Sequence, residues 1–163
     1  MIRKLVTLFL FYVLSAQPGF SQGNYKNGLF LELGGNGYYG SINYERTNSK
    51  GVNARIGFFC LNPKDLIVLP VTVGKVFGVG KHHFEIAGGF VFARNASEDI
   101  GNTESAEKFI YLTGFVGYRY QEMNKRFFFR AGFTPLWELY DNFVDETPGP
   151  FYPWGGIGGG YRF

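Results

Sequence analysis

PWGGIGGGYRF, residues 153–163, is the stretch from which the fold can be read. Strand side chains alternate between two faces. Phe163, Tyr161, Gly159, Ile157 and Gly155 therefore share one face, and Arg162, Gly160, Gly158 and Gly156 share the other. A strand placed last in a sheet leaves a row of unpaired backbone groups unless it has partners on both sides. Closing the sheet on itself supplies both partners.

Working outward, the same period of two recurs through the chain, broken by turn residues, and no helical pattern of useful length accompanies it after residue 22. The spacing predicts strands at 28–36, 38–47, 51–60, 66–78, 82–94, 107–121, 125–138 and 152–163, which makes an all-β, eight-stranded antiparallel barrel. Each run approaches or exceeds the ~9–11 residues that a membrane-crossing strand needs. Leu29, Leu31 and Leu33 face away from Phe30, Glu32 and Gly34; Ala54, Ile56 and Phe58 face away from Asn53, Arg55 and Gly57. Phe84, Ile86 and Phe90 oppose His83, Glu85 and Gly89, and Phe127, Phe129 and Phe133 oppose Phe128, Arg130 and Thr134.

One face is thus aliphatic and aromatic. The other collects glycine and nearly every strand charge, with Phe59, Tyr111, Phe115 and Phe128 as exceptions. The bulky set cannot fit inside eight strands, whereas glycine and long charged side chains can. The expectation is an inverted barrel, apolar outward and polar inward, as in a membrane. Composition agrees: 20% of residues are aromatic, and there are 24 glycines, which suits tight turns and interfacial rings. Mean hydropathy is near zero, as expected when lipid-facing and lumen-facing residues average out. In the fourth strand Lys75 falls on the outward side, close enough to the Gly78–Lys81 turn to reach the interface. Pro70 donates no ladder hydrogen bond, which predicts a bulge or a rim position.

Residues 1–22 read as a secretory signal peptide. Arg3 and Lys4 precede the apolar run Leu5–Leu14, with cleavage after Ala16 or, preferred, near Gln22. Residues 23–163 form the barrel. No cysteine lies near the leader, so no lipoprotein anchor is expected. The formal charge of +3 includes Arg3 and Lys4, so the remainder is close to neutral and argues for no nucleic-acid partner. The single cysteine, Cys60, forms no internal disulfide.

The connections alternate in length. Thr47–Lys50, Gly78–Lys81 and Glu122–Asn124 are tight; Asn95–Glu107 and Leu139–Phe151 are long; the link near Asn36-Gly37 is very short. Outer-membrane barrels carry short periplasmic turns and longer outer loops. The stretch GYRYQEMNKRFFFRAGFTPLW, Gly117 to Trp137, followed by PWGGIGGGYRF, resembles the closing hairpin of small eight-stranded outer-membrane β-barrel proteins, the family described as the outer membrane protein β-barrel domain. The resemblance implies a place in the bacterial outer membrane, contact with its lipid and lipopolysaccharide, and recognition of Ile157, Tyr161 and Phe163 by the outer-membrane assembly machinery. It carries no catalytic residues to transfer, and Gly158–Gly160 is richer in glycine than the family pattern.

The inward charges are Glu32, Glu45, Arg55, Glu85, Arg119, Arg130 and Arg162, three acids facing four bases. A salt-bridge network that plugs the lumen is expected, with a narrow ion path as the alternative. His82, His83 and Glu85 invite a metal, but only His83 and Glu85 share a face and no third ligand is evident. No metal, cofactor or catalytic set is expected. Acidic residues in the long links (Glu98, Asp99, Glu104, Glu107, Asp141, Asp145, Glu146) match no calcium loop. Trp137, Tyr140, Phe151, Tyr152 and Trp154 suit an aromatic girdle, and Phe143 a surface contact. The leading expectation is a non-enzymatic barrel with a structural or surface-interaction role. A lipid-modifying outer-membrane enzyme and a soluble ligand-binding barrel are the other readings.

Overall fold

A computed structural model describes residues 26–60, 66–96, 106–122, 124–141 and 151–163. Eight antiparallel strands close into one barrel in sequence order. They are β1 (Asn27–Gly34), β2 (Gly40–Thr47), β3 (Val52–Cys60), β4 (Leu66–Val79), β5 (His82–Ala96), β6 (Ala106–Gln121), β7 (Phe127–Asp141) and β8 (Phe151–Arg162). The barrel shuts where β1 meets β8, in register from Gly28 opposite Arg162 to Gly34 opposite Gly156. Asn27 and Phe163 extend that seam by exchanging two backbone hydrogen bonds, 3.1 and 2.9 Å.

Both ends of the described chain lie at the same end of the barrel as the tight turns after β2, β4 and β6. This is the terminus end; the opposite end is the loop end. The expected signal peptide lies outside the described residues, as do residues 97–105 and 142–150 of the two long links, with Glu98, Asp99, Glu104, Asp145, Glu146 and Phe143; Glu107 and Asp141, expected in those links, instead belong to β6 and β7.

The wall is uneven. β1 and β2 have 8 residues each, and β6 has 16. At ~3.3 Å rise and a tilt of about 40°, a strand of the latter length spans roughly 40 Å along the axis, against an apolar band of about 25 Å. The β5–β7 side therefore stands well beyond such a band. Between Ile110 and Tyr111 the β6–β7 register shifts by one residue: Ile110 pairs with Tyr140, Tyr111 with Glu138, and Leu139 is the extra residue.

Two expectations need correction. Residues 35 and 36, read as the end of the first strand, form a 3-10 turn, Gly35–Gly37, and β2 begins only at Gly40. Gly34 and Gly35 both hold φ at 68°, a value that a strand does not use. Pro70 makes neither a bulge nor a rim. It is buried within β4 and pairs with Val91, while the β3–β4 ladder omits Gly57 and Phe58 and resumes in the same register at Phe59 opposite Val68. The missing N–H costs a local gap, and Gly57 provides the space for the ring, since a Cβ there would lie 2.7 Å from Pro70 Cγ.

Candidate functional site: a two-storey lumen

The strand period sets the two faces. Leu31 is 62% exposed, Ile56 48% and Phe129 44%, whereas Glu85 and Arg130 are 0% exposed. The bulky set faces outward and the ionic set inward. Glu32, Glu45, Arg55, Arg119 and Arg162 are also buried, as are Phe30, Tyr111, Phe115 and Phe128. Lys75 keeps to the outward row opposite Val52 and Ile86, with its Nζ 5.2 Å from the Phe77 ring centre.

The lower storey, toward the terminus end, is ionic. Arg55 Nη2 reaches Glu45 Oε2 at 2.9 Å and Glu85 Oε1 at 2.6 Å. Arg119 grips Glu45 through both Nη atoms, reaches Glu85 Oε2 at 3.4 Å, and donates from Nε to Gln121 Oε1 at 2.8 Å. Asn53 Nδ2 lies 3.4 Å from both Glu45 and Glu85. Four strands, β2, β3, β5 and β6, are thereby tied across the lumen. Charges removed from water are costly unless paired, and this arrangement pairs them more than once.

Arg130 is held differently. Its nitrogens stand 3.8 Å from Glu32 and from Glu85, too far for a hydrogen bond. Its guanidinium instead lies 3.7 Å from the Phe115 ring centre and 5.4 Å from that of Phe30. Arg119 lies 4.2 Å from the Phe128 ring centre, and Phe128 meets Phe30 edge-on at 5.5 Å. The inward aromatic exceptions thus serve as faces against which guanidinium groups stack. The glycines of β8 leave the room: a Cβ on Gly158 would come within 3.4 Å of both Arg130 Cγ and Phe30 Cδ2.

The upper storey, toward the loop end, is apolar. Val68, Val91, Ala93, Tyr111 and Leu136 form a buried cluster, with Tyr38, Phe59, Leu66 and Phe109 packed against it. The 3-10 turn folds inward beneath this level, next to Glu32, and Thr113, the inward residue below Tyr111, donates to Asn36 Oδ1 at 2.8 Å. Tyr38 and Tyr111 meet edge-on at 5.6 Å. Burial, helped by the Tyr111 hydroxyl, pushes the Tyr38 phenol up from its ordinary value.

The remaining sequence candidates lie apart from one another. His83 is buried beside the Gln121 carbonyl at 3.1 Å, whereas His82 is outside, 2.7 Å from the Tyr118 hydroxyl. Among the described residues no group of three or more His, Cys, Asp or Glu is placed to hold a metal. Cys60 is a free thiol at the end of β3. Ile157 and Tyr161 are exposed in the outward row of β8, and Phe163, also exposed, follows just past its end. Trp137 and Phe151 meet edge-on at 5.5 Å near the loop end, and the Trp154 indole donates to the Tyr38 carbonyl at 3.0 Å. The sequence places Phe59 and Tyr111 inward but does not single out Asn36, Thr113 or the apolar storey as a unit; the inward parity of Val68, Val91 and Leu136 is the further signal for that storey.

Two solved structures are similar to this chain in fold. The N-terminal β-barrel domain of Pseudomonas aeruginosa OprF aligns with a TM-score of 0.60 at 14% identity, covering 86% of this chain and 100% of that one. Neisserial surface protein A (NspA) aligns with a TM-score of 0.58 at 12% identity, covering 85% of this chain and 95% of that one. Both are eight-stranded outer-membrane barrels, so the likeness is one of fold. No family model and no curated protein matches the sequence.

Proposed function

We propose that this chain is an integral β-barrel of the bacterial outer membrane, non-enzymatic, with a lumen closed by its own side chains and a structural or surface-interaction role. The observation that carries the reading is the inverted barrel, a continuous apolar exterior around a buried ionic interior. The shared fold of OprF and NspA supports it. In this reading the terminus end faces the periplasm, and the tall β5–β7 wall lifts the two long links outward, toward lipopolysaccharide and surface partners. Ile157, Tyr161 and Phe163 form the outward row offered to the assembly machinery.

A lipid-modifying enzyme would need a nucleophile or base on the outer, lipid-facing rim. Both histidines lie at the opposite end, which favours the non-enzymatic reading. The test is gel migration of an outer-membrane fraction with and without heating. The folded barrel should migrate faster unheated than heated, and deletion of Phe163 should reduce the folded fraction in the membrane. Recovery of the mature protein in an aqueous fraction without detergent would refute the membrane assignment.

A further inference from the structure

The geometry points to a phospholipid site on the outside of the barrel, at the terminus-end rim of β1–β4. It is built to take the phosphate of an anionic glycerophospholipid from the leaflet that faces the periplasm. The inference rests on the membrane reading above and adds a specific ligand and place to it.

A cavity of about 420 Å³ opens there, lined by Lys26, Arg46, Asn48, Val52, Ala54 and Val73 among others. The register explains its shape. Arg46 stands opposite Asn27 on one side and Ala54 on the other, and Ala54 stands opposite Val73. These residues make one outward row across four strands. Ala54 lies between the larger Val52 and Ile56 on its own strand, so the wall dips where Arg46 faces it.

The chemistry is divided along this dip. Lys26 and Arg46 are exposed cations on its lip, and among the described residues no carboxylate pairs with either. Ala54 and Val73 give an apolar floor that continues into the exposed band of Ile56 and Val71. The Tyr44 hydroxyl donates to Asn27 Oδ1 at 2.9 Å and holds the near side of the row. A phosphate fits the lip, because arginine offers a forked donor and lysine a point charge. One acyl chain fits the floor. Two cations against one phosphate favour a headgroup with net negative charge over a zwitterionic one.

The test is native mass spectrometry of the full mature chain released from detergent, with phosphatidylglycerol, phosphatidylcholine or inorganic phosphate as the added probe. The wild-type protein should retain one phosphatidylglycerol in preference to phosphatidylcholine, and inorganic phosphate should not displace it. Joint substitution of Lys26→Gln and Arg46→Gln should lower retention about tenfold or more. Ala54→Phe, which fills the floor and keeps both cations, should lower it as well. Lys125→Gln, a charge loss at the β6–β7 turn, should leave it unchanged. No lipid retained by the wild type, equal retention of phosphatidylcholine, displacement by inorganic phosphate, or indifference to both the cation pair and Ala54→Phe would each overturn the site. Heat-dependent migration run in parallel separates the two claims. A folded barrel that holds no lipid refutes the site alone, and a protein that does not insert refutes the membrane reading as well.

Discussion

Arg119 on β6 and Glu45 on β2, 74 residues apart in sequence, join as a two-pronged pair across the lumen, Nη2 to Oε1 at 2.7 Å and Nη1 to Oε2 at 2.9 Å. Neither strand neighbours the other in the sheet. The pair is therefore a strut inside the barrel rather than a link within its wall. Removing Arg119 leaves Glu45 buried with Arg55 as its remaining guanidinium partner, so the cost should stay below the about 3–5 kcal/mol of a fully stranded charge. Arg119→Met should lower unfolding stability in urea by about 1–3 kcal/mol in refolded vesicles. The double variant with Glu45→Gln should recover part of the loss, since the under-paired carboxylate is gone. Equal stability of wild type and Arg119→Met would show that the strut carries no load.

Closure depends on an approach that only glycine allows. A Cβ on Gly160 would run into the Phe30 side chain and the Leu29 carbonyl oxygen on β1. Gly160→Val should block the β1–β8 seam and leave the chain in the slow, unfolded gel form. Gly159→Val is the control, because Gly159 faces outward and its nearest neighbour is the Phe128 carbonyl at 3.7 Å. That variant should fold. Failure of both, or success of both, would remove the close approach as the cause.

Most of the barrel could be read from alternation, because a period of two fixes which side chains share a face before any partner strand is known. Leu31 against Glu32 and Phe129 against Arg130 follow directly. The division of the lumen into an ionic and an apolar storey could not be read this way. It depends on the level of each residue along the axis, which comes from register between strands: Val68 opposite Ala93, Val91 opposite Tyr111. The inward fold of Asn36 was hidden for another reason. Gly34 and Gly35 look like strand glycines until their positive φ turns the chain into the barrel. Pro70 misled because a missing donor can be absorbed as a gap in the ladder, without any change of register.

The 3-10 turn should behave as a pinned cap. Thr113 holds Asn36 at 2.8 Å, and both side chains are buried. Thr113→Val keeps the shape and removes the donor, leaving Asn36 Oδ1 with one partner fewer. A loss of about 1–3 kcal/mol is expected. Amide hydrogen exchange at Gly37 and Tyr38 should quicken in this variant while exchange at β8 stays slow. Unchanged protection at the turn would show that packing alone holds it.

The terminus-end turn after β6 carries an exposed ion cluster, Glu122 with Lys125 at 3.1 Å and Lys81 at 3.3 Å. The Lys125 ammonium, with Lys81 beside it, holds the Glu122 carboxyl below its ordinary value, and the same contact raises Lys125. The depressed acid contributes above its unfolded pKa and loses that contribution as pH falls through its folded value. The raised lysine contributes below its unfolded pKa and loses that contribution as pH rises through its folded value. The effect is therefore present across the neutral range and should weaken in high salt. A side-chain titration followed by NMR should show Lys125 returning toward its ordinary value in Glu122→Gln. No movement of Lys125 would break the assignment.

The proposed closed lumen would have two barriers in series, and this sets what conductance should do. At the lower level Arg55 and Arg119 pair with Glu45 and Glu85 across the lumen. At the upper level Val68, Val91 and Leu136 are at most 1% exposed and meet across an apolar plug. An apolar constriction excludes ions by excluding the water that carries them. The wild-type protein in a planar bilayer should show no steady unit conductance. Joint replacement of Glu45 and Arg119 by alanine should still show none, because the upper plug remains. Adding Leu136→Gly to that pair should produce brief openings, since both levels are then breached. A steady conductance in the wild type would refute the closed lumen, and conductance in the double variant would show that the ionic storey is the only barrier.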